Sequence, residues 1–212
     1  MTTTPRIACA LTATVAETAH ADAEFKKSMR LRMRATRMGL AAPLRASQDA
    51  AIAVNIERWL AHHPVSLLGV YWPIHGEPAL HDLYARLAAA GVGLALPNVT
   101  GRGLPLQFLT WAPGDALILG REGIATPARV ETVQPQAMLI PCVAFNSANF
   151  RLGFGGGYYD RTLAQAPQAT AIGVAYSCTQ ADFSAAAHDI AMQVVITETA
   201  SFMREAGDAR SP

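Results

Sequence analysis

The stretch AMLIPCVAFNSANFRLGFGGGYYDRTLAQAPQATAIGVAYS, residues 137–177, decides the fold. AMLIPCVAF (137–145) reads as an apolar strand, with Pro141 placing a bend near its end. A glycine-rich loop follows at 153–157, then a short helix from about Tyr158, then a second apolar strand at 170–177. A strand, a helix and another strand in succession predict a parallel pair joined by a crossover.

The same alternation extends outward in both directions. QVVITET (193–199) reads as a further strand. On the other side, Val65–Trp72 (VSLLGVYW) reads as a buried strand closed by the turn-rich PIHGEP. Pro78 suits the first turn of a helix to Ala90, with Leu80, Leu83 and Leu87 on one face. VGLALP and PLQFLTW are the next strands, and residues 112–136, rich in Pro and Gly, are expected to wind over the surface. Two helices come first. One runs from about Asp22 to Leu40; the other, from about Arg45 to Ala61, carries Ile52, Ile56, Trp59 and Leu60 at core-facing spacing. The fold class predicted is α/β: a single three-layer domain with a largely parallel sheet and helices on both faces. It occupies residues 24–203, between a poorly ordered N-terminal extension (1–23) and a loose tail (204–212).

Composition narrows the function. Of the 212 residues, 51% are hydrophobic and 16% charged, which excludes a disordered chain. The longest apolar stretch, Leu87 to Pro97, falls short of the roughly 20 residues that span a bilayer. A net charge of +1 gives no reason to expect a nucleic-acid or membrane partner. Cys9, Cys142 and Cys178 are odd in number and far apart, which suits a reducing cytoplasm. Against that neutral average, Lys26, Lys27, Arg30, Arg32, Arg34 and Arg37 place six of the 17 cations in twelve residues.

Three groups of residues could carry chemistry. Gly153, Gly155, Gly156 and Gly157 leave backbone N–H groups uncovered, able to converge on an anion at the start of the next helix. Arg151 and Arg161 flank them as phosphate clamps, and Asp160 could hold a metal ion bridging phosphate oxygens. The spacing matches neither a P-loop nor G-x-G-x-x-G, and a tight surface turn is the competing reading. On the first helix, Lys26, Arg30, Arg34 and Arg37 share a stripe about 80° wide, beside Met29, Met33 and Leu40. Such a stripe serves either a polyphosphate or plain solvation. Tyr71-Trp72-Pro-Ile-His-Gly-Glu77 follows a strand, where α/β folds bind ligands. There Glu77 could accept from ligand amines beside the Trp72 ring, or could be a solvated loop acid. His188-Asp189 reads either as a surface pair or as a metal ligand.

Taken together these motifs resemble the 5-formyltetrahydrofolate cyclo-ligases, also called 5,10-methenyltetrahydrofolate synthetases. MLIPCVAFNSANFRLGFGGGYYDRTLA (138–164) is similar to the family signature. The K-x-x-x-R of Lys26 to Arg30, Gly76-Glu77, LALP (94–97), W-x-P-G-D (111–115), G-I-x-x-P (123–127) and HDIAMQVVITE (188–198) occur in the family's order. The resemblance implies ATP- and Mg²⁺-dependent closure of 5-formyltetrahydrofolate to 5,10-methenyltetrahydrofolate, with release of ADP and phosphate. Carried over by position, Lys26, Arg30 and the run Arg151, Leu152, Gly153, Phe154, Gly155, Gly156, Gly157, Tyr158 and Tyr159 would bind ATP. Trp72 and Glu77 would line the folate site, with Phe154, Gly155, Gly156, Gly157 and Tyr158 facing both substrates. Asp160 and Asp189 would be the Mg²⁺ ligands. Arg32, Arg34 and Arg37 are left to solvent or to the glutamate tail of the folate. The chain departs from the family at Thr126, where Glu is usual, and at Asn146, where Asp is usual. The expected location is the cytoplasm, and the expected state a monomer or weak homo-oligomer. A non-catalytic relative that binds ATP or folate is the alternative. A sugar-phosphate isomerase or transferase of similar architecture would need an acid/base pair, for which the sequence offers no candidate.

Overall fold

The computed structural model describes residues 6–204, with side chains from residue 20 to 204. Two helices open the chain, α1 (Arg6–Met38) and α2 (Ala42–His62). The remaining elements follow in order: β1 (Leu67–Gly69), α3 (His81–Ala89), β2 (Gly93–Val99), β3 (Leu106–Trp111), β4 (Leu117–Leu119), β5 (Ala125–Pro127), β6 (Thr132–Val133) and β7 (Ala137–Pro141). The last third holds β8 (Ala144–Phe145), β9 (Arg151–Leu152), α4 (Tyr158–Gln165), β10 (Thr170–Val174), β11 (Val194–Ile196) and β12 (Ser201–Met203).

Eight strands form one sheet in the order β12-β11-β10-β7-β1-β2-β3-β6. Its centre, from β11 through β10, β7 and β1 to β2, is parallel; β12, β3 and β6 run antiparallel at the edges. Alternate strand residues feed two separate cores, as the period of two requires. Leu68, Val70, Leu94, Leu96, Leu139, Ile172 and Val194 pack against Ile52, Ile56 and Leu60 of α2 and Leu83, Tyr84 and Leu87 of α3. Ala95, Met138, Ile140, Ala171 and Val195 face the other way, toward Phe145 and Leu163 of α4. The mixed α/β fold with a mostly parallel sheet and helices on both faces is therefore the one expected.

Several boundaries differ. The first helix starts at Arg6, so it takes in most of the segment assigned above to a separate extension; alanine-rich sequence favours helix. Residues 1–5 and 205–212, which include nearly all of the expected tail, lie outside the described residues. Residues 112–136 do run over the surface, mostly exposed, but with more regular pairing than the Pro and Gly content suggests. They form the antiparallel hairpin β4–β5, a short turn at 121–123 and the edge strand β6.

Gly69 shows how tightly the central strands are packed. A Cβ there would sit 2.8 Å from Phe108 Cε1, 3.1 Å from Pro135 Cγ and 3.3 Å from Met138 Cγ. Gly69→Ala should therefore destabilise the fold by about 1–3 kcal/mol. The expected readout is a lower denaturant midpoint with an unchanged slope.

Connections decide where a ligand can bind. From β1 the chain crosses by α3 to β2 on one side; from β7 it crosses by α4 to β10 on the other. β1 and β7 are hydrogen-bonded neighbours, so the winding reverses between their carboxyl ends, where open α/β sheets hold ligands.

Candidate active site

The segments that follow β1 and β7 carry most of the residues singled out in the sequence. After β7, the small hairpin β8–β9 carries the chain to the glycine loop, and its turn is organised by Asn146. The Asn146 Oδ1 accepts from Ala148 N (3.1 Å) and Phe150 N (2.9 Å), while its Nδ2 donates to Phe183 O (3.0 Å). A carboxylate could not make that last bond, which gives the departure at 146 a local reason. Thr126 is buried in β5, and its hydroxyl has no partner.

The glycine loop ends on α4, with Gly155 at φ +99° and Gly157 at φ +63°. Side chains could not follow that path without strain. Arg30 Nε donates to Gly153 O at 2.8 Å, and Arg161 Nη2 donates to Gly156 O. Tyr158 Oη donates to Glu122 Oε1 at 3.0 Å. The second cation of the expected pair sits one turn earlier on α1. Lys26 Nζ lies 3.1 Å from Asp22 Oδ2 and 3.9 Å from Asp189 Oδ2, and the residue is only 9% exposed. Asp189 Oδ2 also accepts from Ala186 N at 2.7 Å.

Asp160 stands in the first turn of α4, its Oδ1 accepting from Ile190 N (3.2 Å) and its Oδ2 paired with Arg151 Nη2 (2.9 Å). Arg151 is buried and also donates to Ile190 O at 3.3 Å. Its guanidinium thus faces inward, which corrects the expectation of a phosphate clamp; the backbone of the loop remains for that task. Arg161 gives its Nη2 to the loop's own carbonyl at Gly156, while its Nε has no partner.

On the β1 side, Trp72 is half-buried, its ring 4.7 Å from that of His81 and 6.1 Å from that of Trp111. Glu77 is not a solvated loop acid: it is 4% exposed. Its Oε2 accepts from Ile74 N at 2.9 Å, and its Oε1 lies 3.8 Å from Arg37 Nη2. Burial raises its pKa to about 7, against the opposing effects of the Ile74 N–H and of Arg37 and Arg34. Between its ordinary value of 4.5 and about 7, the native carboxyl keeps a proton that the unfolded chain has released. Stability accordingly falls as pH rises through that window. Relative to Glu77→Gln, the wild type should lose on the order of 2–3 kcal/mol between pH 4.5 and pH 7. Thermal unfolding of both proteins across that range measures it.

The two sides meet at Phe154, on the exposed tip of the glycine loop. Its ring lies 5.6 Å from the His75 ring, with Arg34 Cζ 5.4 Å and Arg37 Cζ 5.6 Å from its centroid. Lys26, Arg30, Asp160 and Asp189 thus gather on one side of the loop, and Glu77 approaches the other through Arg37, while Trp72 packs further along the β1 side with His81 and Trp111. Arg32 is exposed as expected, but Arg34 is half-buried over Phe154 and Arg37 is 1% exposed, so neither belongs to solvent.

Residues 22–198 match the sequence model of the 5-formyltetrahydrofolate cyclo-ligase family. The chain belongs to that family. The 5-formyltetrahydrofolate cyclo-ligase of Mycoplasma pneumoniae is 29% identical over 82% of this chain and 98% of its own. That of Mycolicibacterium smegmatis is 32% identical over 68% and 81%. Among solved structures, the 5,10-methenyltetrahydrofolate synthetase of Aquifex aeolicus superposes with a TM-score of 0.75, at 28% identity over 88% of this chain and 95% of that one. A Mycoplasma pneumoniae 5,10-methenyltetrahydrofolate synthetase gives 0.70, at 27% identity over 82% and 98%. Family membership and fold therefore agree with the resemblance read from the motifs. Among the described residues no helix is long and apolar enough to cross a membrane.

Proposed function

We propose that the protein closes 5-formyltetrahydrofolate to 5,10-methenyltetrahydrofolate at the expense of ATP, as a cytoplasmic enzyme. The observation that carries this reading is the meeting of two differently equipped half-sites at Phe154. One offers cations and free backbone N–H groups, as a polyphosphate requires. The other offers a buried carboxyl beside an aromatic box, as a flat heterocycle with N–H donors requires.

The chemistry follows from what each group can do. A formyl oxygen on N5 is a poor leaving group. Transfer of the ATP γ-phosphoryl group to it forms an O–P bond, releases ADP and makes the formyl carbon electrophilic. The N10 lone pair then adds to that carbon, N10 loses its proton, and phosphate leaves with the former formyl oxygen. Phosphoryl transfer depends chiefly on positioning and charge neutralisation. Lys26 and Arg30 hold the phosphates against the loop backbone from Arg151 to Tyr159; Glu77 and Trp72 hold the folate; Phe154 keeps the two substrates in contact and excludes water.

Among the described residues no three His, Cys, Asp or Glu side chains are grouped as a metal site. Mg²⁺ needs less, since it takes one or two carboxylates and completes its shell with phosphates and water. Asp160 and Asp189 fit that requirement, because the bond from Ile190 N to Asp160 holds the 189–190 backbone against the start of α4. When bound there, Mg²⁺ would neutralise phosphate charge.

Incubation with 5-formyltetrahydrofolate and MgATP should produce the methenyl-folate absorbance together with ADP, and neither without ATP. Absence of turnover by folded protein refutes the reading. Folate binding by calorimetry without ADP release would instead identify a non-catalytic relative.

A further inference from the structure

Arg37 is the most deeply buried cation among the described side chains, and nothing so far accounts for its position. It leaves α1 and reaches the point where the sheet's winding reverses. There Nε donates to His75 O at 2.9 Å, in the turn after β1, and Nη1 donates to Cys142 O at 3.2 Å, just past β7. It is thus tied to both strands that flank the reversal. Its Nη2 is buried without a hydrogen-bond partner and faces Glu77 Oε1 at 3.8 Å. The other carboxylate oxygen is taken by Ile74 N, so Oε1 is left with a cation behind it and no bound donor.

We propose that Arg37 is a positioning residue for Glu77, fixing the 73–77 turn and presenting Oε1 to the N–H donor edge of the bound pterin. This rests on the folate reading of the site. A buried charge without a donor is costly unless a counter-charge stands near it, and the surroundings of Glu77 leave α1 to supply one. The groups that act on it are Arg37 and Arg34 of α1, Tyr71 after β1, Tyr84 of α3, Tyr159 of α4 and Cys142 after β7. Burial pushes the three phenols and the thiol up, so all four stay neutral near pH 7. Beyond the Ile74 N–H, which bonds Oε2, only the two arginines oppose the desolvation of Glu77. Arg37 is the one that also bonds the turn carrying it.

The test joins a titration that needs no turnover to a kinetic cycle. In carbon-13 carboxyl NMR, with the signal assigned by its loss in Glu77→Gln, Glu77 should titrate about one unit or more higher in Arg37→Gln than in the wild type. In Arg37→Lys it should stay near the wild-type value. The KM for 5-formyltetrahydrofolate should rise about tenfold near pH 7 in Arg37→Gln, and the fall-off of affinity at low pH should move up with the titration. The KM for ATP should stay within about twofold of wild type. Arg37→Met combined with Glu77→Gln removes both buried partners together and so guards against misfolding. Its folate KM should equal that of Glu77→Gln alone, since Arg37 acts through the carboxylate. An unmoved Glu77 titration in folded Arg37→Gln, or an added folate loss in the double variant, overturns the proposal. A wild type that fails to cyclise folate defeats the functional reading, while the titration still decides whether Arg37 governs Glu77.

Discussion

Asp160→Ala should lower kcat/KM for MgATP by at least about a hundredfold, while the folate KM changes only a few-fold. The carboxyl stands in the first turn of α4, beside the loop backbone groups proposed to receive the phosphates, and apart from the proposed folate residues Trp72 and Glu77. The same substitution carries a second effect that must be separated from the first. Asp160 Oδ2 is the counter-charge of Arg151, whose side chain is 5% exposed. Removing it leaves a buried guanidinium with the Ile190 carbonyl and the Tyr159 ring but no counter-charge, and breaking such a pair costs about 3–5 kcal/mol. Asp160→Asn separates the two, because its amide oxygen can still accept from Arg151 or Ile190 N while carrying no charge toward phosphate or metal. Turnover should fall nearly as far in the Asn variant, with a much smaller drop in Tm. If Asp160→Asn keeps wild-type turnover, the carboxylate serves only to hold Arg151.

How much of this was legible beforehand depended on the range of the interaction. The glycine loop and the helix after it follow from local rules, since glycines at positive φ and a chain restarting at Tyr158 need no tertiary partner. The apolar runs at 137–145 and 170–177 likewise announced buried strands, but with both faces of β7 and β10 covered the sequence carries no alternation to say which face meets which core. Arg37 was not legible. On a helical wheel it falls inside the same stripe as Lys26, Arg30 and Arg34, and only the contacts of that stripe distinguish them. Two carbonyls from segments that are distant in sequence, His75 and Cys142, draw it inward. Arg151 misled for a similar reason: flanking a glycine loop suggests a phosphate clamp, but Asp160 and Ile190 reach it first. The region from 112 to 136 was read as surface winding because Pro and Gly mark its turns. Its hairpin pairs residues across those turns, and short β pairing leaves little periodicity to detect.

Lys26→Met should produce the second large loss, a rise of about a hundredfold in the KM for MgATP. The expectation rests on where the ammonium is held. It sits almost out of solvent between Asp22 and Asp189, one helical turn from Arg30, which grips Gly153 O. Substitution by methionine keeps the volume, so α1 should remain docked through Met29 and Met33, which pack against Val143, Ala144 and Leu152. What disappears is the ammonium, and Asp189 is then left with the His188 imidazole at 3.8 Å and with Arg30, which acts on it from beyond ion-pair distance. Less compensated, that carboxylate repels incoming triphosphate. Lys26→Met should therefore lose more than the single phosphate contact is worth, and adding Asp189→Asn should recover part of the loss in ATP binding measured with ATP alone. With MgATP the second substitution should bring no recovery, because the ligand that Asp189 is proposed to offer the metal has gone. Equal recovery with and without Mg²⁺ would remove Asp189 from the metal and make it simply the partner of Lys26.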